Sequence, residues 1–530
     1  MYKASILTAG LALVLNAANA QKPNIILIMA DDMGFSDIGC FGSEIPTPNL
    51  DRLAQNGVRF SQFYNTARCC PTRASLLTGI DQHQTGIGMM AEDPNKTENV
   101  KDRNDWGLPG YRGFLNHQCV TVAEVLKPAG YHTYMAGKWH VGMHGEEKWP
   151  LQRGFEHYYG ILAGACSYLK PEGGRGITLD NTHLPAPEGE YYTTDAFTDN
   201  AIRMIKEQND EKPFFLYLAF NAPHWPLQAK KMDYEKFVGK YLKGWDAIRE
   251  KRYERQKTLK LFDRDIPLSP RDPRVRPWSE VSDSQKKESD FRMAVYAAQV
   301  SCIDQNIGKL VETLSQMNKL DNTLIIFLSD NGACAEPYAE FGGGKFEDIN
   351  NPAISGAVSY GIGWANVSNT PFFEYKVKSY EGGISAPFIA SWPKQIKKTA
   401  GKVVHTPSNL TDIMPTFIEA AGTKYPKTHP DGTVLFPLEG TSLLSAFIRG
   451  KGAKHEYMFW EHAGFSAIRK GDWKACKKVD DINWELYDLR TDRDEQINVS
   501  KDHQELVKEL NDKWYSWANS HQVLPKNKLK

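Results

Sequence analysis

Asn24-Ile25-Ile26-Leu27-Ile28-Met29-Ala30-Asp31-Asp32 is the stretch that decides the fold. It is an unbroken apolar run of strand length, closed by two carboxylates. A run without alternation buries both of its faces, as a strand does in a sheet covered by helices on each side. Working outward from Ile25–Met29, four more runs have the same texture: Thr133–Ala136, Phe214–Phe220, Leu324–Leu328 and Pro387–Ser391. Helical patterns lie between them, at Thr47–Gln55, Thr121–Ala129, Asp195–Gln208, Arg292–Met317 and Leu410–Ala421. Alternation of strand and helix predicts an α/β fold with a mainly parallel central sheet flanked by helices.

The ends of these runs carry the polar chemistry. The first ends in Asp31-Asp32, the second in Lys138-Trp139-His140, the third in Asn221-Ala222-Pro223-His224 and the fourth in Asp330-Asn331-Gly332. In open α/β sheets ligands bind outside the carboxyl ends of the strands, so four such deliveries at one end predict a site. Asp31-Asp32 alone reads equally well as a turn or helix cap. With Asp330 and Asn331 the set becomes oxygen-only, and three close carboxylates repel one another without a cation. A hard divalent ion fits: calcium suits several protein oxygens, whereas magnesium keeps its waters. No Cys/His spacing for zinc is present. Arg73, Lys138 and Lys376 are the cationic candidates, and His140 and His224 the proton-transfer candidates.

A second segment, Cys69-Cys70-Pro71-Thr72-Arg73-Ala74-Ser75-Leu76-Leu77-Thr78-Gly79, reads as a short helix with proline in its first turn and glycine past its end. Cys69 is expected just before the helix N-terminus, where free N–H groups favour an anion. On residues alone it is a nucleophile candidate with a lowered pKa, one of two buried thiols, or half of a vicinal disulfide.

The rest of the chain sets the frame. Its 530 residues suit one large domain and a smaller one. Lys+Arg and Asp+Glu both number 64, so no charge excess points to nucleic acid. Residues 1–20 read as a cleaved signal peptide: Lys3, an apolar Ser5–Leu15 and a small-x-small site at Ala18-Asn19-Ala20. That predicts a periplasmic or secreted protein. No later run reaches the ~20 apolar residues of a membrane span. Eight cysteines are too sparse for a disulfide frame and leave room for one or two bridges. Residues 228–290, rich in charge and proline, read as a solvated insertion. From residue 451 the texture changes to antiparallel strands, at Tyr457–Trp460, Phe465–Arg469, Trp473–Lys477 and Glu485–Leu489, followed by a helix at Glu505–Ala518. The boundaries expected are 21–450 for a catalytic domain and 451–530 for a C-terminal α+β subdomain. Trp106, Tyr168, Trp225 and Trp364 are either pocket or core aromatics.

The Cys69–Gly79 segment matches the signature Cys-x-Pro-Ser/Thr-Arg followed by x-x-x-Leu-Thr-Gly, and on it the chain resembles the formylglycine-dependent sulfatases. Pro23–Asp32, Gly130–Gly142, Phe327–Gly332, Tyr380-Glu381-Gly382-Gly383 and Glu485–Leu489 are similar to further blocks of that family. Gln82–Glu92, Gly107–Asn116 and Ser359–Gly383 look most like bacterial arylsulfatases of the Pseudomonas type. The resemblance implies an alkaline-phosphatase-like fold. It makes Cys69 the residue oxidised to formylglycine by a maturation enzyme, with Cys70 in a variable position. It makes Asp31, Asp32, Asp330 and Asn331, with the residue-69 oxygen, the ligands of Ca²⁺ rather than Mg²⁺. Arg73 would hold that oxygen, and Lys138, His224 and Lys376 would bind the sulfate ester. Lys376 is preferred to Lys378 because it lies five residues before Glu381.

The mechanism so implied is attack on sulfur by one hydroxyl of the hydrated aldehyde, giving a covalent sulfo-enzyme. His224 with Lys376 protonates the leaving alcohol, and His140 then deprotonates the second hydroxyl to expel sulfate. The expected substrate is a sulfated small molecule or glycan. Two rival readings are a phosphate or phosphonate monoester hydrolase of the same superfamily and an inactive homologue that binds sulfated glycans. A second metal set is not evident for the first, and every mapped motif position is filled, against the second.

Overall fold

The computed structural model describes residues 21–91 and 105–523. The leader read at residues 1–20 lies outside them. In chain order the strands are β1 (Asn24–Ala30), β2 (Val58–Phe60), β3 (Phe63–Tyr64), β4 (His132–Lys138), β5 (His157–Ile161), β6 (Thr178–Leu179), β7 (Thr182–His183) and β8 (Phe214–Ala219). There follow β9 (Thr323–Ser329), β10 (Phe388–Ser391), β11 (Val403–Val404), β12 (Ser408–Asn409), β13 (Met458–His462), β14 (Phe465–Lys470), β15 (Trp473–Lys477) and β16 (Glu485–Asp488).

The main sheet is ten-stranded in the order β11-β2-β10-β9-β1-β8-β4-β5-β6-β7. Its centre, β9-β1-β8-β4-β5, is parallel throughout, while β10 runs antiparallel to both β9 and β2. The opening stretch explains itself here. Ile26 and Ile28 point into one core and Ile25, Leu27 and Met29 into another, on opposite faces of the sheet. A strand between two cores needs apolar residues at every position. The long helix Asp283–Gln316 carries the chain from β8 across to β9 on the far side of β1. It begins nine residues before the periodic stretch at Arg292, on a Ser282/Gln285 capping box, because its first two turns are solvated and carry no apolar period.

Three expectations are corrected. Residues 228–290 are no solvated appendage: the helix Gly244–Thr258 buries Trp245, Ile248, Arg249, Arg252 and Gln256. Arg252 reaches Asp37 at 2.6 Å and Glu44 at 2.8 Å, so a charge-rich stretch is folded inward by ion pairing that composition does not reveal. All eight cysteines are buried, and no disulfide joins any two of them. Cys69 is the first residue of the helix Cys69–Thr78 rather than the residue before it; Arg68 is the N-cap.

Beyond residue 450 a four-stranded antiparallel sheet, β13-β14-β15-β16, packs under the helix Gln504–Ser520. Its inner face meets the main body through buried charges. Lys474 pairs with Glu381 at 3.1 Å and Glu495 at 2.7 Å, and Arg493 pairs with Glu381 at 3.0 Å. No helix among the described residues is long and apolar enough to cross a membrane.

Candidate active site

The parallel centre of the sheet brings its carboxyl ends together. β1 ends at Asp31-Asp32, β9 at Asp330-Asn331, β4 at Lys138 with His140 just beyond, and the turn after β8 carries His224. All ten residues singled out in the sequence are buried, the most exposed being His224 at 5%. Asp32 and His140 hold left-handed backbone conformations, φ 66° and 58°, uncommon outside glycine and typical of functional turns.

The carboxylates are held from several sides. Lys138 Nζ lies 2.5 Å from Asp31 Oδ2. Arg73 Nη2 bridges Asp31 Oδ2 at 3.4 Å and Asp330 Oδ2 at 3.3 Å. Asp32 Oδ1 accepts from Asn331 Nδ2 at 2.7 Å and pairs with Lys376 Nζ at 2.7 Å. Lys378 turns away to Glu374 at 2.8 Å. The Asp32 backbone N–H donates to Asp330 Oδ1 at 3.0 Å, locking β1 to β9.

Electrostatics follow from burial against charge. Desolvation would raise Asp31, but Lys138, then His224 and Arg73, hold its carboxyl well below the usual range. Asp330 goes the other way: burial and the neighbouring Asp31 push it well above. Burial lowers Lys138 and Lys376, yet Asp31 and Asp32 beside them keep both ammoniums charged. Burial leads His224 downward, and Asp32 opposes it only in part. A hydrogen bond from Cys70 draws the Cys69 thiol well below its ordinary value; Lys138, Lys376 and His140 add to this against burial.

Three buried oxygens of the cluster, Asp31 Oδ1, Asp32 Oδ2 and Asn331 Oδ1, have no hydrogen-bond partner. His224 Nδ1 meets the Trp225 carbonyl at 2.8 Å. A neutral His224 donating there turns its Nε2 lone pair towards Asp32 Oδ2, 3.3 Å away. Two acceptors then face each other. Ligand atoms of Asp31, Asp32 and His224 all lie within 4.8 Å of one another. Orphaned oxygens and opposed acceptors are what a bound divalent cation satisfies, so the donor set fits a hard metal ion.

The sequence missed the far wall. His462, at the end of β13, is buried, its Nδ1 has no hydrogen-bond partner, and Arg68 and Cys69 act on its charge. Arg68 pairs with Glu336 at 2.8 Å. No motif marks these residues, because they come from loops and a sheet far apart in the chain. Of the four aromatics, Tyr168 and Trp364 are structural. Tyr168 donates to the Asn221 and His224 carbonyls, both at 2.7 Å, and Trp364 donates to Ser289 Oγ at 2.8 Å. Trp225 packs on His224 with ring centroids 4.3 Å apart.

Comparison with known proteins agrees with this geometry. The sulfatase family model matches residues 23–423, and the model for the C-terminal part of N-sulphoglucosamine sulphohydrolase matches 371–520. An uncharacterized sulfatase of Schizosaccharomyces pombe is 35% identical, the match covering 94% of this chain and 93% of that protein. An arylsulfatase of Klebsiella aerogenes is 37% identical over 81% of this chain and 92% of its own length. A crystal structure of Ps i-CgsB in complex with k-i-k-neocarrahexaose superposes with TM-score 0.67 and 29% identity, covering 95% of this chain and 94% of the other. By its motifs, its fold and these matches, the chain belongs to the sulfatase family and is a sulfuric ester hydrolase of the arylsulfatase-like kind.

Proposed function

We propose that the protein hydrolyses sulfate monoesters with a nucleophile made from Cys69 by oxidation to formylglycine. The observation that carries this reading is the position of residue 69. It opens a helix, beside Lys138, Lys376 and His140, and against a buried oxygen cluster whose unpaired atoms fit a cation. Asp31, Asp32, Asp330 and Asn331, with the residue-69 oxygen, would hold the ion, for which Ca²⁺ is the better match than Mg²⁺. A cation there would neutralise the carboxylates and lower the pKa of a hydroxyl on residue 69.

The remaining roles fall to the chain's own groups. Arg73, fixed by Asp31 and Asp330, orients the residue-69 oxygen. Lys138 and Lys376 bind sulfuryl oxygens and stabilise the charge that grows on them. One hydroxyl of the hydrated aldehyde attacks sulfur, and the ester S–O bond to the alcohol breaks. His224 Nε2 takes a proton from the charged Lys376 ammonium and passes it to that alcohol. His140 removes the proton of the second hydroxyl; the bond from carbon 69 to the sulfate oxygen breaks, inorganic sulfate leaves and the aldehyde is restored. A maturation enzyme would supply the aldehyde, and the leader read at residues 1–20 would direct the protein to the periplasm or outside the cell. The neocarrahexaose held by the related structure favours sulfated glycans as natural esters, beside small aryl sulfates as test substrates.

The deciding experiment compares hydrolysis of a matched aryl sulfate and aryl phosphate by wild type and Cys69→Ala, made in a host that forms formylglycine and assayed with calcium. The expected result is preference for sulfate and a loss of at least about 10³-fold in the variant. Preference for phosphate, or an unimpaired Cys69→Ala, overturns the reading. The mass of the residue-69 peptide reports the conversion independently.

A further inference from the structure

A second cluster of metal-ligating side chains lies outside the oxygen-only site. His117 comes from the loop before the helix Val122–Leu126, and His429 and Asp431 come from a hairpin closed by the Thr428–Val434 bridge. His117 Nδ1 lies 2.6 Å from Asp431 Oδ2, and His429 Nδ1 lies 3.0 Å from Asp431 Oδ1. The two imidazoles stack with centroids 4.5 Å apart and planes 18° from parallel, so both turn the same edge to one carboxylate. One ligand atom from each of the three residues falls within a common 4.8 Å.

The framework behind the cluster is ordered by hydrogen bonds rather than by the side chains themselves. His429 N donates to Thr433 O at 2.8 Å and Gly432 N to His429 O at 2.9 Å, with Gly432 in the left-handed conformation such a tip needs, φ 89°. Phe436 N donates to Gln118 O at 3.0 Å, which ties the hairpin to the His117 loop. The loop is tied further inward, Asn116 Nδ2 donating to Gln84 O at 2.7 Å. Thr433 N donates to Asp431 Oδ1 at 2.9 Å, and Thr433 leads in holding the Asp431 carboxyl below its usual range. On the far side of His429, Nε2 is 3.9 Å from Glu124 Oε1. When Nδ1 is to present a lone pair the ring proton sits on Nε2, and a carboxylate facing Nε2 is the outer partner that metal-bound imidazoles use.

We propose that His117, His429 and Asp431 form a surface site for a first-row divalent ion of the zinc type, which pins the 428–434 hairpin to the 116–118 loop. Two imidazole nitrogens and one carboxylate are a borderline-soft donor set, selecting Zn²⁺, Ni²⁺ or Cu²⁺ over Ca²⁺. Water fills the remaining positions, since His117 and Asp431 face solvent, 61% and 41% exposed at their side chains. Binding replaces the His117 Nδ1 contact to the carboxylate and the Asp431 N–H contact to His429 Nδ1 by metal–nitrogen bonds, each neutral ring carrying its proton on Nε2. The inference is independent of the sulfatase mechanism, because the two donor sets share no residue and differ in chemistry.

The test uses full-length mature protein stripped with a chelator and then saturated with calcium, so that the oxygen-only site is filled. Zn²⁺ is titrated in competition with a chromophoric chelator, for wild type, His117→Ala and His429→Ala. Wild type is expected to take up one zinc more tightly than either variant by more than about tenfold. Zinc is also expected to slow amide exchange at 428–434 in wild type alone. Both substitutions lie away from the catalytic groups, so aryl-sulfate turnover and the circular dichroism spectrum verify that the variants are folded. Zinc uptake identical in all three proteins, or amide exchange at the hairpin unmoved by zinc in wild type, overturns the proposal and leaves a hydrogen-bonded His–Asp–His bridge.

Discussion

At the scale of the residue, each catalytic candidate is anchored by a partner that removes a charge conflict. Lys376 shows this best. It sits 2.7 Å from Asp32, while its near neighbour Lys378 is taken up by Glu374. Lys376→Met is therefore expected to lower kcat/KM for an aryl sulfate by about 10²–10³-fold, whereas Lys378→Met leaves it nearly unchanged. Steady-state kinetics of the two variants side by side check this, and the reverse ranking would sink the assignment. The three unpaired oxygens at Asp31, Asp32 and Asn331 make a second prediction. Stripping divalent cations is expected to cost about 10²-fold or more in turnover and to lower the melting temperature, because buried carboxylates are left facing one another. Re-addition of calcium restores both; activity and melting curves insensitive to chelation would contradict it. Seven of these ten positions were legible because they close or follow strand ends; Cys69 and Arg73 were legible in the segment that matches the sulfatase signature, and Lys376 by its distance from Glu381 in that resemblance. His462 was not, since a single histidine in an edge-to-core strand carries no local signal.

At the scale of the element, the helix Cys69–Thr78 depends on its ends. Gly79 closes it at φ 75°, its N–H donating to Ser75 O. A Cβ at this position would come within 2.6 Å of Met414 Cβ, against the helix Ile413–Ala421. Gly79→Ala combines a disfavoured conformation with a clash, so a loss of about 1–3 kcal/mol is expected. Chemical denaturation measures it, and a change within experimental error would show that the Met414 side chain yields freely. The five long strands were readable to within two residues at either end, because burial on both faces writes an unbroken apolar run. The short strands β2, β6, β7 and β11 towards the two ends of the sheet were not, since two or three residues are too few to write such a run.

At the scale of the whole molecule, the C-terminal sheet meets the main body beside the helix Cys69–Thr78 through charged side chains. His83, four residues past Gly79, is wholly buried between Asp81 at 2.9 Å and Glu461 of β13 at 2.8 Å. Burial would lower its pKa, but the two carboxylates raise it to about 9. A histidine whose folded pKa exceeds the unfolded value stabilises fully below the unfolded value of 6.5, and the contribution is lost as pH rises through about 9. A shift of this size corresponds to roughly 3 kcal/mol. Wild-type stability is therefore expected to fall between pH 6.5 and 9 more steeply than that of His83→Gln, and the variant to be the weaker protein at the acid end; parallel pH profiles would refute the coupling. The sequence by itself determined the α/β alternation, the end of the sheet where the candidate site lies, the short helix around Cys69 and the residue types beside it. These are local: apolar runs, strand ends and a helix with its caps are written in neighbouring residues. Only the tertiary structure decided which lysine meets Asp32, that the charge-rich 228–290 stretch folds inward, that no two cysteines are bridged, and that a β13 histidine comes near enough to residue 69 to feel its charge. Each of those depends on pairings between groups tens to hundreds of residues apart, where the energy of burying a charge is settled by a partner the local sequence does not contain.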